Sequence, residues 1–248
     1  MRAPPIRLVL VDTSHPGNIG AAARAMKNME LEDLALVRPR QFPHPAASAR
    51  ASGADDVLER ARVYASLPEA LAGCGFVLAC TSRDRDHYYR VLDVREAAER
   101  VIAESASSPV GVVFGGEHSG LNNEDLAPAH ALLRIPTGKA YASLNLAMAV
   151  QVVAYEIFRA RGSPVPSAPR EQPLADPLAM ERLYAHLDQV LIEIDFRDRT
   201  QNGTHLMNRF RRLLQRAELD GNEVNILRGM LTAVQQRRRR AGGGAQQA

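Results

Sequence analysis

The sequence predicts an α/β protein, a parallel sheet with helices on both faces, followed by a small all-helical extension. Three observations carry this. Short aliphatic runs alternate with helical stretches as far as Arg161. Those runs are apolar throughout, as strands covered on both faces are, rather than at every second residue. The pattern then changes to helix-period, Arg-rich sequence after a stretch with five prolines between Gly162 and Pro177.

Residues 6–11 (IRLVLV) read as a buried strand, with a loop Ser14-His15-Pro16-Gly17-Asn18 behind it. Ile19–Met29 reads as a helix with small residues on one side. A second strand lies near Leu34–Val37, and a looser region holds a helix over Ala46–Ala51 that stops at Gly53. Leu67–Ala72 is a short helix, Phe76–Cys80 a strand, and Asp93–Ser105 a helix ended by Pro109. Val110–Phe114 is a strand that runs into Gly115-Gly116-Glu117-His118-Ser119-Gly120. Ala131–Ile135 is the last strand, and the helix after it is expected over Ser143–Arg161. Alternation of this kind implies parallel strands with crossover helices. In such sheets ligands bind beyond the carboxyl ends of the strands. The unusual residues fall in loops at those ends, 12–18, 115–121 and 136–142. Residues 162–177 read as a linker. Leu178–Ile194, Thr204–Arg216 and Asn222–Arg240 read as helices, with a disordered tail from 241. The domain expectation is thus 1–161, linker 162–177, helical unit 178–240 and tail 241–248.

Composition narrows the classes. Hydrophobic residues make up 46% and charged residues 24%, as in soluble globular chains. Aromatics are 5% and Trp is absent, so aliphatic residues and Ala must build the core. A net charge of +3 permits an acidic partner such as RNA without requiring one. Lys27 and Lys139 are the only lysines, and Arg suits forked contacts to phosphate. Cys74 and Cys80 sit in apolar runs and lack zinc-type spacing, which favours reduced, buried thiols, no metal and a cytoplasmic protein. No apolar run is long enough for a membrane, and the N-terminus carries no apolar signal segment.

The full dinucleotide fingerprint is missing after Phe114, as is a phosphate-binding Gly-Lys-Ser loop, so a nucleotide would have to be held another way. Gly115, Gly116 and Gly120 allow close backbone approach around Glu117, although taken alone they read better as a tight turn with a solvated carboxylate. Ser143 alone reads as a helix cap. Asn145 is harder to dismiss, because the following helix is apolar nearly all round and a buried amide there needs partners. Asn18 and Arg24 flank the start of the first helix, where a surface ion pair is the ordinary fate of Arg24. Thr81-Ser82-Arg83-Asp84-Arg85 follows a strand and suits phosphate, or is a solvated charged loop. His15 and His118 are loop histidines, more often structural or solvated than catalytic.

Taken together, three segments resemble the SPOUT superfamily of RNA methyltransferases, in its TrmH-like ribose-methylating branch. They are Asn18-Ile19-Gly20-Ala21-Ala22-Ala23-Arg24, Val113-Phe114-Gly115-Gly116-Glu117-His118-Ser119-Gly120-Leu121, and Ile135-Pro136 followed by Ser143-Leu144-Asn145-Leu146-Ala147-Met148-Ala149. Within that branch the chain resembles the TrmJ group of tRNA methyltransferases. The likeness extends through Leu183–Leu187, Met207–Leu213 and Asn225–Leu231, while Gly116 and His118 stand where that group often has arginines.

The resemblance implies a SPOUT-type sheet with a C-terminal trefoil knot, an exception to the usual absence of knots. It implies a homodimer with active sites at the interface, S-adenosylmethionine as methyl donor, and tRNA as partner. The implied product is a 2′-O-methylated cytidine or uridine at position 32 of the anticodon loop. By position, Cys80, Thr81, Ser82, Gly115, Gly116, Ile135, Ser143, Leu144 and Asn145 would hold the donor. Arg24, Asn18, Glu117 and Asn145 would be catalytic. Arg24 would orient the ribose hydroxyl, since guanidinium stays protonated and is a poor base. Arg83, Arg85, Arg209, Arg211 and Arg212 would contact RNA, with Arg237–Arg240 as further candidates. A same-fold enzyme acting on rRNA and a non-catalytic RNA-binding homologue are the alternatives. A nucleotide-dependent oxidoreductase is disfavoured by the missing fingerprint.

Overall fold

The computed structural model describes residues 6–83, 89–138, 140, 142–162, 172–196 and 206–243. Its centre is a seven-stranded sheet in the order β3-β2-β1-β6-β4-β7-β5, with every pairing parallel. The inner strands are those the apolar runs predict: β1 (Ile6–Val11), β2 (Asp33–Val37), β4 (Phe76–Cys80), β6 (Val110–Phe114) and β7 (Ala131–Arg134). Alternation of side chains along each strand builds two cores. Leu8, Leu10, Leu36, Val112 and Leu133 face one side, and Val9, Val11, Val37, Val113 and Leu132 the other.

The first face carries α1 (Pro16–Asn28), α2 (Pro45–Ala51), α3 (Asp55–Arg60), α5 (Val94–Ser105) and α7 (Leu146–Arg161), through Ile19, Met26, Ala47, Val57, Val101, Val150 and Ile157. The second is covered more thinly, by α4 (Leu67–Ala70), α6 (Asn123–Leu126) and the segments around them, through Leu67, Leu71, Leu121 and Leu126. Small residues on α1 make the close contact with α2 possible. A Cβ on Gly20 would lie 1.9 Å from the Ala47 carbonyl oxygen, so only glycine lets these helices touch backbone to backbone.

Local chemistry sets the helix ends. Asp93 accepts from the Arg95 and Glu96 amides while the Glu96 carboxylate accepts from the Asp93 N–H, a reciprocal capping box at the start of α5. Two expectations change at α7. The helix begins at Leu146, not Ser143, because Asn145 takes the cap position and its Oδ1 accepts from the Ala147 and Met148 amides. Nor is α7 buried all round, since Met148, Tyr155 and Phe158 stay exposed.

β3 (Arg62–Tyr64) and β5 (Val91–Asp93) extend the sheet at its two edges and were not expected, being short and half polar. The C-terminal helices are α8 (Pro177–Glu193), α9 (Leu206–Ala217) and α10 (Gly221–Gly243), the last reaching three residues past the expected end at Arg240. They share a core of their own around Met180, Leu183, Tyr184 and Val224. This unit sits against the sheet domain. Arg100 joins Glu218 at 2.8 Å, and Gln215 Nε2 donates to the Pro128 carbonyl at 2.8 Å. The end of the expected linker is packed: Leu174 is buried and Ala175 N–H donates to the Leu219 carbonyl.

Candidate active site

The carboxyl ends of β1, β6 and β7 bring the three unusual loops together. After β1 the chain turns sharply at Asp12 (φ 51°), whose carboxylate takes both arms of the Arg38 guanidinium at 2.9 Å. That turn presents Ser14 and His15 to the loop after β6. There Glu117 accepts from Ser14 N–H (2.9 Å), Ser14 Oγ (2.8 Å), His15 N–H (3.3 Å) and Asn18 Nδ2 (2.7 Å). The carboxylate lies at the first turn of α1, where free amides and the helix dipole favour negative charge.

Burial alone would raise the Glu117 pKa. The hydrogen bonds from Asn18 and Ser14 outweigh it and hold the carboxyl down at about 2. Glu117 is therefore ionised but fully engaged, a clamp between two loops rather than a free base. The glycines around it serve the same closeness. A Cβ on Gly115 would fall 2.2 Å from the Gly120 backbone, and Gly120 has φ 63°. Gly120 N–H donates back to the Gly116 carbonyl, which closes the turn.

The third loop joins through Asn145. Its Nδ2 donates to Asn18 Oδ1 at 3.1 Å, while its Oδ1 caps α7. Glu117, Asn18 and Asn145 thus form one line of hydrogen bonds across chain segments far apart in sequence.

On one side of this line lies an open cleft. Its wall contains Cys80, Thr81, Ser82, Gly115, Gly116, Ile135, Ser143 and Leu144, which gathers every residue expected to hold the donor except Asn145. Leu121, Leu146 and Ala149 add apolar surface, and the hydroxyls of Thr81, Ser82, Thr137 and Ser143 add polar groups. Burial pushes the Cys80 thiol up to about 12, so it is a wall and not a nucleophile.

On the other side a groove runs between α1 and α7, lined by His15, Asn18, Ala21, Ala25, Arg50, Asn145, Met148 and Val152. Asn145 belongs to this groove instead of the cleft, because capping α7 turns its amide toward Asn18. Arg24 lines neither space. It is exposed on α1, and among the described residues no group hydrogen-bonds or ion-pairs with it.

The RNA-binding candidates separate. Arg83 is exposed in the cleft wall; Arg85 lies outside the described residues. Arg209 is exposed on α9, and Arg212 faces a second groove between α9 and the 122–127 segment, with Arg38 and Asn208. Arg211 is engaged within the protein. It forks onto Glu181, with Nη2–Oε2 at 2.8 Å, and stacks 4.4 Å from the Tyr184 ring. Sequence reasoning passed over Ser14, which supplies two of the donors to Glu117. The signal available was a hydroxyl residue just before a Pro-initiated helix.

Comparison with known proteins agrees with this geometry. Residues 5–155 match the SpoU rRNA methylase family, and residues 178–243 match the C-terminal domain of the tRNA methyltransferase TrmJ. The chain belongs to the SpoU methylase family, in its TrmJ group. A tRNA (cytidine/uridine/adenosine-2′-O-)-methyltransferase TrmJ of Pseudomonas aeruginosa is 47% identical, over 93% of this chain and 94% of its own. The tRNA (cytidine/uridine-2′-O-)-methyltransferase TrmJ of Escherichia coli K12 is 45% identical, over 93% of this chain and 95% of its own. The crystal structure of TrmJ from Z. mobilis ZM4 superposes with a TM-score of 0.82 at 35% identity, covering 94% of this chain and 100% of that one.

Proposed function

We propose that this chain is an S-adenosylmethionine-dependent tRNA 2′-O-ribose methyltransferase, with a pyrimidine at position 32 of the anticodon loop as its target. The observation that carries the reading is the 142–145 segment. One side of it walls the cleft, and the other is tied through Asn145 to Asn18 and the α1–α7 groove. A donor in the cleft and a ribose in the groove would meet across one short stretch of chain.

The cleft's residues fit the donor. Apolar Ile135, Leu144 and Leu146 suit an adenine face, and the hydroxyls of Thr81, Ser82 and Ser143 suit the ribose and amino-acid polar groups. When bound, that donor supplies an already activated methyl group. The chain's own residues must then orient a ribose hydroxyl and accommodate the loss of its proton. Glu117 has no acceptor capacity to spare, so it positions loops, and a phosphate oxygen or water takes the proton.

Arg24 is assigned to orient the hydroxyl and its neighbouring phosphate. It lies off its own chain's cleft, exposed on α1 one turn from Ala21, which lines the α1–α7 groove with Met148 and Val152; Tyr155 follows Met148 seven residues on along α7. Met148 is 60% and Tyr155 47% exposed, which supports a homodimer joined through this face, with Arg24 at the partner's site. Arg24→Ala should lower turnover by about 10²–10⁴-fold. Donor affinity, measured by titration calorimetry, should stay within about two-fold. Full activity in that variant would remove Arg24 from the mechanism.

The same reading assigns residues 1–161 to catalysis, 162–177 to the connection, 178–240 to RNA binding and 241–248 to a tail whose first three residues continue α10. It includes a trefoil knot, supported by β7 lying between β4 and β5 although it follows both in sequence. No helix among the described residues is long and apolar enough to cross a membrane. Free Cys74 and Cys80 support a cytoplasmic setting.

The test is methylation of unmodified tRNA transcripts with labelled donor, followed by nucleoside mass spectrometry, with rRNA transcripts in parallel. The expected product is a 2′-O-methyl pyrimidine at position 32. Substituting adenosine there asks whether this chain follows the wider or the narrower of its two named relatives. Label in rRNA alone would overturn the assignment.

A further inference from the structure

Helix α10 carries a second apolar face, away from the cleft and the α1–α7 groove, that no described residue covers. Its inner face packs into the C-terminal core through Val224, Leu227 and Leu231. Its outer face leaves Ile226 63%, Met230 61% and Val234 42% exposed, which is large for aliphatic side chains on one stripe. Glu223, Ile226, Met230, Val234 and Arg237 recur at steps of three, four, four and three residues, one helix face that is symmetric about Met230. An acidic residue closes one end and basic residues Arg237 and Arg238 the other.

We propose that this stripe is a self-association surface, on which α10 of a second copy of the chain lies antiparallel about a two-fold axis at Met230. The sequence is complementary to its own reverse there. Met230 meets Met230 of the second copy, Ile226 meets its Val234, and Glu223 meets its Arg237. Gly229 and Ala233 flank the axis and keep the backbones able to approach; a Cβ on Gly229 would meet nothing within 4 Å in one chain. A two-fold contact of this kind uses one patch on both subunits and closes on itself.

Charge selects the direction. A parallel pair would set Glu223 against Glu223 and stack the two Arg237–Arg238 ends. The antiparallel pair separates those ends and puts each beside a carboxylate. One oxygen of Glu223 accepts from the Asp220 N–H at 2.9 Å, which leaves the other to face a guanidinium. Such a rim pair fixes register more than affinity. The inference is independent of the methyltransferase reading. It is also distinct from the α1–α7 face, since α10 lies in the C-terminal unit.

Disulfide cross-linking of the full chain tests it. Met230→Cys, at the axis, should form a covalent dimer under mild oxidation at low micromolar concentration, in at least ten-fold higher yield than Glu223→Cys. In the antiparallel pair two copies of residue 223 stand about 21 Å apart along the helices, from 14 residues at about 1.5 Å each. The double variant Glu223→Cys/Arg237→Cys should restore cross-linking, because each new thiol meets the other type on the second copy. The parent chain, with Cys74 and Cys80, sets the baseline. Met230→Cys cross-linking no better than Glu223→Cys would overturn the pairing, whatever else covers the stripe. Efficient Met230→Cys cross-linking without rescue by the double variant would overturn the antiparallel register.

Discussion

Two carboxylates hold the two halves of the molecule, and they do so differently. Glu117 ties the loop after β1 to the loop after β6 through neutral donors: backbone N–H groups, a hydroxyl and one side-chain amide. Glu181 holds α8 to α9 through a single cation, Arg211, which also stacks on Tyr184. The Glu117 donors belong to backbone and short side chains that are already placed, so their geometry passes directly to the cleft and the groove. The Glu181 partner is one long side chain, partly exposed, away from the cleft and the α1–α7 groove. The difference teaches where precision is spent. A network of short donors positions, whereas an ion pair fastens.

That contrast can be broken by experiment. The largest expected effect is at Glu117. Glu117→Gln sets an NH₂ group against two of the four donors and loosens the loops, so kcat should fall by about 10–10²-fold, as for a small misplacement of reacting groups. Steady-state kinetics on tRNA would measure it, and an unchanged kcat would show that the loops do not need the clamp. Arg211→Ala should instead cost about 1–2 kcal/mol of stability, from a partly screened forked pair and a ring contact. Thermal unfolding would register that loss, with kcat within about two-fold at saturating tRNA.

Acid sharpens the comparison further. The Glu117 pKa is depressed from 4.5 to about 2, so between those values the unfolded chain binds the extra proton and stability rises with pH. The contribution is present above about pH 4.5 and is lost as pH falls toward 2. Denaturant midpoints of the parent should drop more across that window than those of Glu117→Gln. Equal slopes would place the strength of the clamp elsewhere. The smallest effect is expected for Asn145→Ala, which removes an α7 cap worth about 1 kcal/mol. The same change frees Asn18 at the groove, so kcat on tRNA, read by steady-state kinetics, should fall less than in Glu117→Gln while donor affinity stays unchanged.

Much of this was legible in the residues, and what was not has physical causes. β1, β2, β4, β6 and β7 are read from their apolar runs because both faces of each are buried. β3 and β5 lie at the sheet edges with exposed Arg62, Val63 and Val91, so they lack that signature. The cleft was legible because its walls are loops marked by glycines and hydroxyls. The placement of Asn145 was not. Ser143 and Asn145 are equally good caps by type, and the choice is made by Asn18 across 127 residues of chain. Arg211 presents a similar difficulty. An Arg-rich helix looks the same in sequence whether a guanidinium faces RNA or a neighbouring carboxylate.

The line from Glu117 to α7 also has a polarity. A carboxylate can only accept, so Asn18 must turn its NH₂ toward Glu117 and its carbonyl toward Asn145. Asn145 must then offer its own NH₂ to Asn18, which leaves its carbonyl for the amides of α7. The carboxylate at one end and the α7 amides at the other thereby fix the orientation of both side chains between them. Protonating or neutralising the carboxylate would do more than remove a bond. It would let the Asn18 amide turn, and the loop after β1 would lose its fixed link to the start of α7.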